Sequence, residues 1–183
     1  QECSSEVLNS FAERMPVVQR QVPLLIRAAD KVAQRITTYE DALLQVPYSP
    51  QPCFAEEQVN RAGGLALALP WTERLSMATT NDIVLFSVRS WEKDGARAIP
   101  FLNACRDRGW MTILFASRAD APRNLKVDFL IDNGAPSGSA EEAPINALVN
   151  TCNAWMWTCE YSAALTRRGV APAILRSIFL PGA

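Results

Sequence analysis

"DIVLFSVRSWEKDGARAIPFLNACRDRGWMTILFAS", residues 82–117, decides the fold. Two apolar runs, DIVLFSV (82–88) and MTILFAS (111–117), flank a helical stretch over Ala96–Arg108 that Gly109 closes. Near-continuous apolar runs of this length are what strands covered on both faces require. Parallel strands also need a crossover long enough to hold a helix. A glycine just past a helix is a common stop, because it enters the left-handed region without a Cβ clash. The stretch therefore reads as one β-α-β unit.

Working outward, the same alternation continues. ALLQV (42–46), LALAL (65–69, ended by Pro70) and VDFLI (127–131) read as three further strands. Phe54–Ala62 reads as a helix closed by Gly63 and Gly64. Strands alternating with helices predict an α/β fold, a parallel sheet with helices on both faces. Upstream, Val7, Phe11, Met15, Val18, Val22, Leu25, Ala29, Val32 and Ile36 recur every three or four residues and make one helical stripe. Pro16 and Pro23 interrupt it, which predicts a kink or two shorter helices packed on the body or on a second subunit. Downstream, NGAPSGSAEEAP (133–144) is a loop rich in turn formers. A long helix follows. Its stripe of Ile145, Leu148, Cys152, Trp155, Cys159 and Ala163 is expected in the core or at a subunit interface, and Gly169 ends it. The whole reads as a single domain, with a helical segment at 1–38 and the core at 39–183.

Composition narrows the function classes. The 183 residues are 49% hydrophobic and 20% charged, with net charge −1, which suits one domain with a sizeable core. A near-neutral chain carries no electrostatic footprint for nucleic acid. No apolar run approaches the ~20 residues that a membrane-spanning helix needs. There is no histidine, so the commonest general base, the commonest metal ligand and every Ser-His or Cys-His arrangement are missing. The five cysteines lack CxxC spacing, and their wide separation predicts free, mostly buried thiols. Neither a metal nor a cofactor is expected. Cys53 lies near a helix N-terminus, where a thiolate is stabilised, although a small side chain filling space is the commoner use of such a cysteine. A cytoplasmic location is expected, with export the alternative because the chain starts at Gln1 instead of a methionine.

Open parallel sheets bind ligands beyond the C-terminal ends of their strands, where strand order reverses. The residues that follow the apolar runs are Ser49; Ser87, Arg89 and Ser90; Ser117; and Asp132 with Asn133. Hydroxyls at such turns, together with helix N-terminal N–H groups, suit a phosphate. Serine also caps helices and shapes turns, so each one alone carries either meaning.

FAEEQVNRAGG (54–64), VDFLIDNGAPSGSA (127–140) and RRGVAPAILRSIFLPG (167–182) resemble the sugar isomerase (SIS) domain family, closest to its phosphosugar-binding, phosphoheptose-isomerase-like branch. The resemblance implies a three-layer αβα sandwich with a five-stranded parallel sheet of flavodoxin-like topology. It also implies a homodimer or higher oligomer that binds a phosphosugar at the strand ends. The chain departs from the pattern in its first loop. The family's Gly-x-Gly-x-Ser turn falls on Pro47–Gln51, which has no glycine and two prolines, and a proline offers no N–H to a phosphate. The family's Ser-x-Ser-Gly falls on SVRSW. Ser90 matches, Ser87 is offset by one, Trp91 replaces the glycine, and Arg89 could supply charge instead. A later Thr-Ser becomes Ala116-Ser117.

Three functions follow. The first is a sugar-phosphate isomerase using Glu57 or Glu56 as base, although carboxylates at a helix start also serve the helix dipole. The second is a non-catalytic protein that binds a phosphosugar or similar polar anion through Ser49, Ser87, Arg89, Ser90, Ser117 and Asn133. The third is an oligomeric relative that has lost its ligand.

Overall fold

The computed structural model describes residues 2–59, 64, 68–70 and 79–172, with backbone alone at 2–4 and 68–70. The chain opens with two helices, α1 (Glu2–Arg20) and α2 (Val22–Thr38). They break at Gln21. Pro23 sits in the first turn of α2, where its missing N–H costs no helical bond, while Pro16 lies inside α1. The expected stripe does pack on the body: Val18, Leu25, Ala29 and Val32 are buried, while Val7 near the free end is exposed.

The strands are β1 (Leu44–Val46), β2 (Ala68–Pro70), β3 (Ile83–Ser87), β4 (Met111–Ala116) and β5 (Phe129–Asp132). The sheet runs in the order β2-β1-β3-β4-β5, and every neighbouring pair is parallel. The α/β class and the parallel sheet stand as read from the sequence. Pro70 belongs to β2 instead of ending it, opposite Val46. β2 is an edge strand, where a missing N–H breaks no ladder bond. Residues 65–67 of the expected strand lie outside the described residues.

Period-two alternation divides the sheet's side chains between two faces. Ile83, Leu85, Ile113, Phe115 and Ile131 join Leu44 and Val46 on one face, under α2, α3 (Pro52–Val59) and α5 (Ala143–Arg167). Phe86, Val88, Leu114 and Ala116 lie on the other, under α4 (Trp91–Asp107). Helices thus cover both faces. Residues 60–62, expected to extend α3, and the closing Gly63 lie outside the described residues.

Three expectations are corrected. α4 begins at Trp91, not Ala96, because the Ser90 hydroxyl accepts a hydrogen bond from the Lys93 N–H (3.3 Å) and Glu92 and Asp94 favour the first turn electrostatically. Of the two places expected for the α5 stripe, the core is excluded for Leu148 and Trp155, which are 45% and 47% exposed, and the subunit-interface alternative is untouched. The face turned to the sheet carries Asn146, Asn150 and Asn153 beside Val149, Trp157, Tyr161 and Leu165. Thirdly, the thiols are not mostly buried. Cys105 is buried, and that burial pushes its thiol up to about 12; Cys152 is half-buried, whereas Cys53 and Cys159 are exposed. These four, the cysteines whose side chains are described, are all free thiols. No described helix is long and apolar enough to cross a membrane.

Candidate functional site

From β1 the chain crosses through α3 to β2 on one side, and from β3 it crosses through α4 to β4 on the other. Right-handed crossovers in opposite directions send the two helices to opposite faces, so a crevice opens beyond the ends of β1 and β3. A cavity of about 490 Å³ occupies this position. Tyr48, Ser49, Pro50 and Pro52 line it from the loop after β1, and Arg89, Lys93, Asp94 and Arg97 from the start of α4.

Its electrostatics are set by one ion pair and two less committed cations. Arg89 grips Asp94 with both arms, Nε to Oδ2 at 3.1 Å and Nη2 to Oδ1 at 2.8 Å. The backbone N–H groups of Arg89 and Ser90 donate to the same carboxylate at 3.1 and 3.4 Å. Donating these hydrogen bonds to Asp94 holds the Arg89 guanidinium more firmly charged than usual. Lys93 lies 3.9 Å from Glu141, which is almost fully exposed, so that pair is loose and screened. Arg97 is exposed and has no carboxylate partner among the described residues. Three cations thus face the cavity against one carboxylate, and that carboxylate is already spent on Arg89.

The structure brings together two of the residues expected to bind ligand, Ser49 and Arg89. The others are buried and committed elsewhere. Ser87 donates to Gln51 Oε1 and accepts from Asn150 Nδ2 at 2.9 Å. Ser90 caps α4. Ser117 donates to the Ala135 carbonyl at 3.0 Å. Asn133 donates to Asn150 Oδ1 at 3.1 Å and accepts from the Ala135 N–H at 3.0 Å. Asn146 extends this network, donating to the Arg89 carbonyl at 2.7 Å and accepting from the buried Arg14, which also pairs with Glu142. Side chains of α5 and α1 thus fill the space beyond β3 and β4. The Trp91 indole donates to the Ser117 carbonyl at 2.8 Å, closing the gap between α4 and that loop.

The two expected catalytic carboxylates lie elsewhere. Glu57 lines a separate hollow of about 310 Å³ with Cys53, Leu148 and Trp155. Glu56 is exposed on α3. A helix starting at Ala96 leaves Lys93 outside it and hides its relation to Arg97. A helix begun after Ser90, with acidic residues in its first turn, would have set these two cations four apart on one face. Among the described residues no group of three or more acidic or thiol side chains is placed to hold a metal ion. No protein-family model matches the chain, and no curated protein matches it.

Proposed function

We propose that this chain binds a small phosphorylated ligand in the cavity between β1 and β3, and does so without turning it over. The observation that carries the reading is the convergence of Arg89, Lys93 and Arg97 on one cavity at the point where strand order reverses. The resemblance to SIS domains supports a phosphorylated ligand and puts phosphosugars among the compounds to test. Arginine suits a phosphate because its planar fork donates two parallel hydrogen bonds. Binding is favoured over isomerisation because aldose–ketose exchange needs a base free to take a proton from carbon. Asp94, the carboxylate lining the cavity, is held by Arg89 and two backbone N–H groups.

Isothermal titration with inorganic phosphate and glucose 6-phosphate at low salt tests this. The double variant Lys93→Gln, Arg97→Gln should weaken both by about tenfold or more, since hydrogen bonds to charged groups contribute about 1.5–3 kcal/mol each. Unchanged affinity in that variant, or no binding by the unmodified chain, would overturn the reading.

A second reading, self-association, is favoured by the outer face of α5. Leu148 and Trp155 stand about half-exposed there, beside the hollow shared with Cys53 and Glu57. Exposed large apolar side chains grouped on one helix mark interaction surfaces.

A further inference from the structure

We infer that the ligand of this site carries a flat apolar group beside its anionic group, so that its preferred class is a phosphorylated aromatic compound and not a bare sugar phosphate. The inference rests on the anion-binding reading above and adds the ligand's other half. A second cavity, of about 330 Å³, adjoins the first, and the two share Tyr48, Ser49, Pro50 and Arg97 in their walls. Its remaining lining is apolar: Pro47, Phe86 and Phe101. The rings of Phe86 and Phe101 stack with centroids 4.8 Å apart and planes 24° apart.

Arg97 therefore stands at the junction of a cationic chamber and an aromatic one. A phosphate held by Arg97 and Lys93 places the next few atoms of its ligand in reach of the phenylalanine wall. A sugar there would turn part of its hydroxyl surface to Pro47, Phe86 and Phe101, which offer no side-chain hydrogen bond to replace the water lost, with only the Tyr48 and Ser49 hydroxyls beside them. An aromatic ring loses little and gains apolar burial and ring-on-ring contact. Its chemistry matches both halves: charge for the basic side, a flat face for the apolar side.

Titration of the full chain with inorganic phosphate, glucose 6-phosphate and phenyl phosphate tests this. Phenyl phosphate should bind about tenfold tighter than the other two, the gain that covering one ring face supplies. Arg97→Gln should weaken all three, whereas Phe101→Leu, which keeps an apolar wall but removes the ring, should cut only the phenyl advantage. Because Phe101 also packs in the core, saturation-transfer NMR on the unmodified chain supplies an independent readout. The ring protons of phenyl phosphate should be saturated more strongly than the sugar protons of glucose 6-phosphate. If glucose 6-phosphate binds as tightly as phenyl phosphate, or if Phe101→Leu leaves the advantage intact, this inference falls and the anion-binding reading stands. If none of the three phosphates binds, both fall together.

Discussion

Ser87 stands at the end of β3, where a ligand contact belongs, yet its hydroxyl joins Gln51 of the β1 loop to Asn150 of α5. Gln51 continues the chain of bonds, donating to the Ala147 carbonyl at 3.0 Å and to Thr151 Oγ1 at 3.3 Å. These groups are buried, so each partner removed leaves another without water or protein to replace it. Ser87→Ala should destabilise the fold by about 1–3 kcal/mol, because it leaves Gln51 and Asn150 short of a partner. Phosphate affinity should be unchanged. Denaturant unfolding and titration separate the two, and a variant that kept its stability but lost phosphate binding would return Ser87 to the site. The sequence showed a hydroxyl at a strand end. Whether that hydroxyl served a ligand or the fold depended on Asn150, 63 residues away along the chain. Arg89 was legible because it combined charge with the right turn.

At the scale of elements, α4 places the site, and both its ends are built by local chemistry. Ser90 caps one end. At the other, Gly109 takes φ +77° while its N–H donates to the Arg106 carbonyl at 2.9 Å and the Trp110 N–H donates to Cys105 at 3.0 Å. This pair of reverse bonds satisfies carbonyls that the helix end would otherwise leave open. Gly109→Ala should cost about 1–2 kcal/mol, the usual penalty of a Cβ in the left-handed region, since no steric clash adds to it. Thermal unfolding measures this, and an unchanged melting temperature would show that the cap does not hold α4 in place. Gly134 is a harder case. It too has positive φ, +70°, but a Cβ there would also come within 3.1 Å of Val17 on α1. The C-terminal stop of α4 was readable from one glycine, since the requirement is local. The face α5 turns inward was not readable. Its asparagines look like a solvent face until the strand-end carbonyls they donate to are in place.

Across the whole molecule, the opposite directions of the two crossovers open the crevice in which basic and aromatic chambers meet. Elsewhere, α5 leaves Leu148, Trp155 and Cys159 outward. If that face pairs copies of the chain, Trp155→Glu should shift the species seen by light scattering toward the monomer. The same change should raise the labelling rate of Cys159 at high protein concentration. A chain already monomeric at high concentration would remove self-association from consideration. Periodicity and punctuation alone determined the α/β class, the sequence of strands and helices, the break near Pro23 and the stop at Gly109. Those follow from backbone geometry acting over a few residues. Tertiary structure alone decided which serines were spent internally, which face of α5 met the sheet, and that Ser49, Arg89, Lys93 and Arg97 share one cavity. A buried polar group is governed by whatever lies opposite it in space, and the sequence does not fix that neighbour until the strands have taken their order.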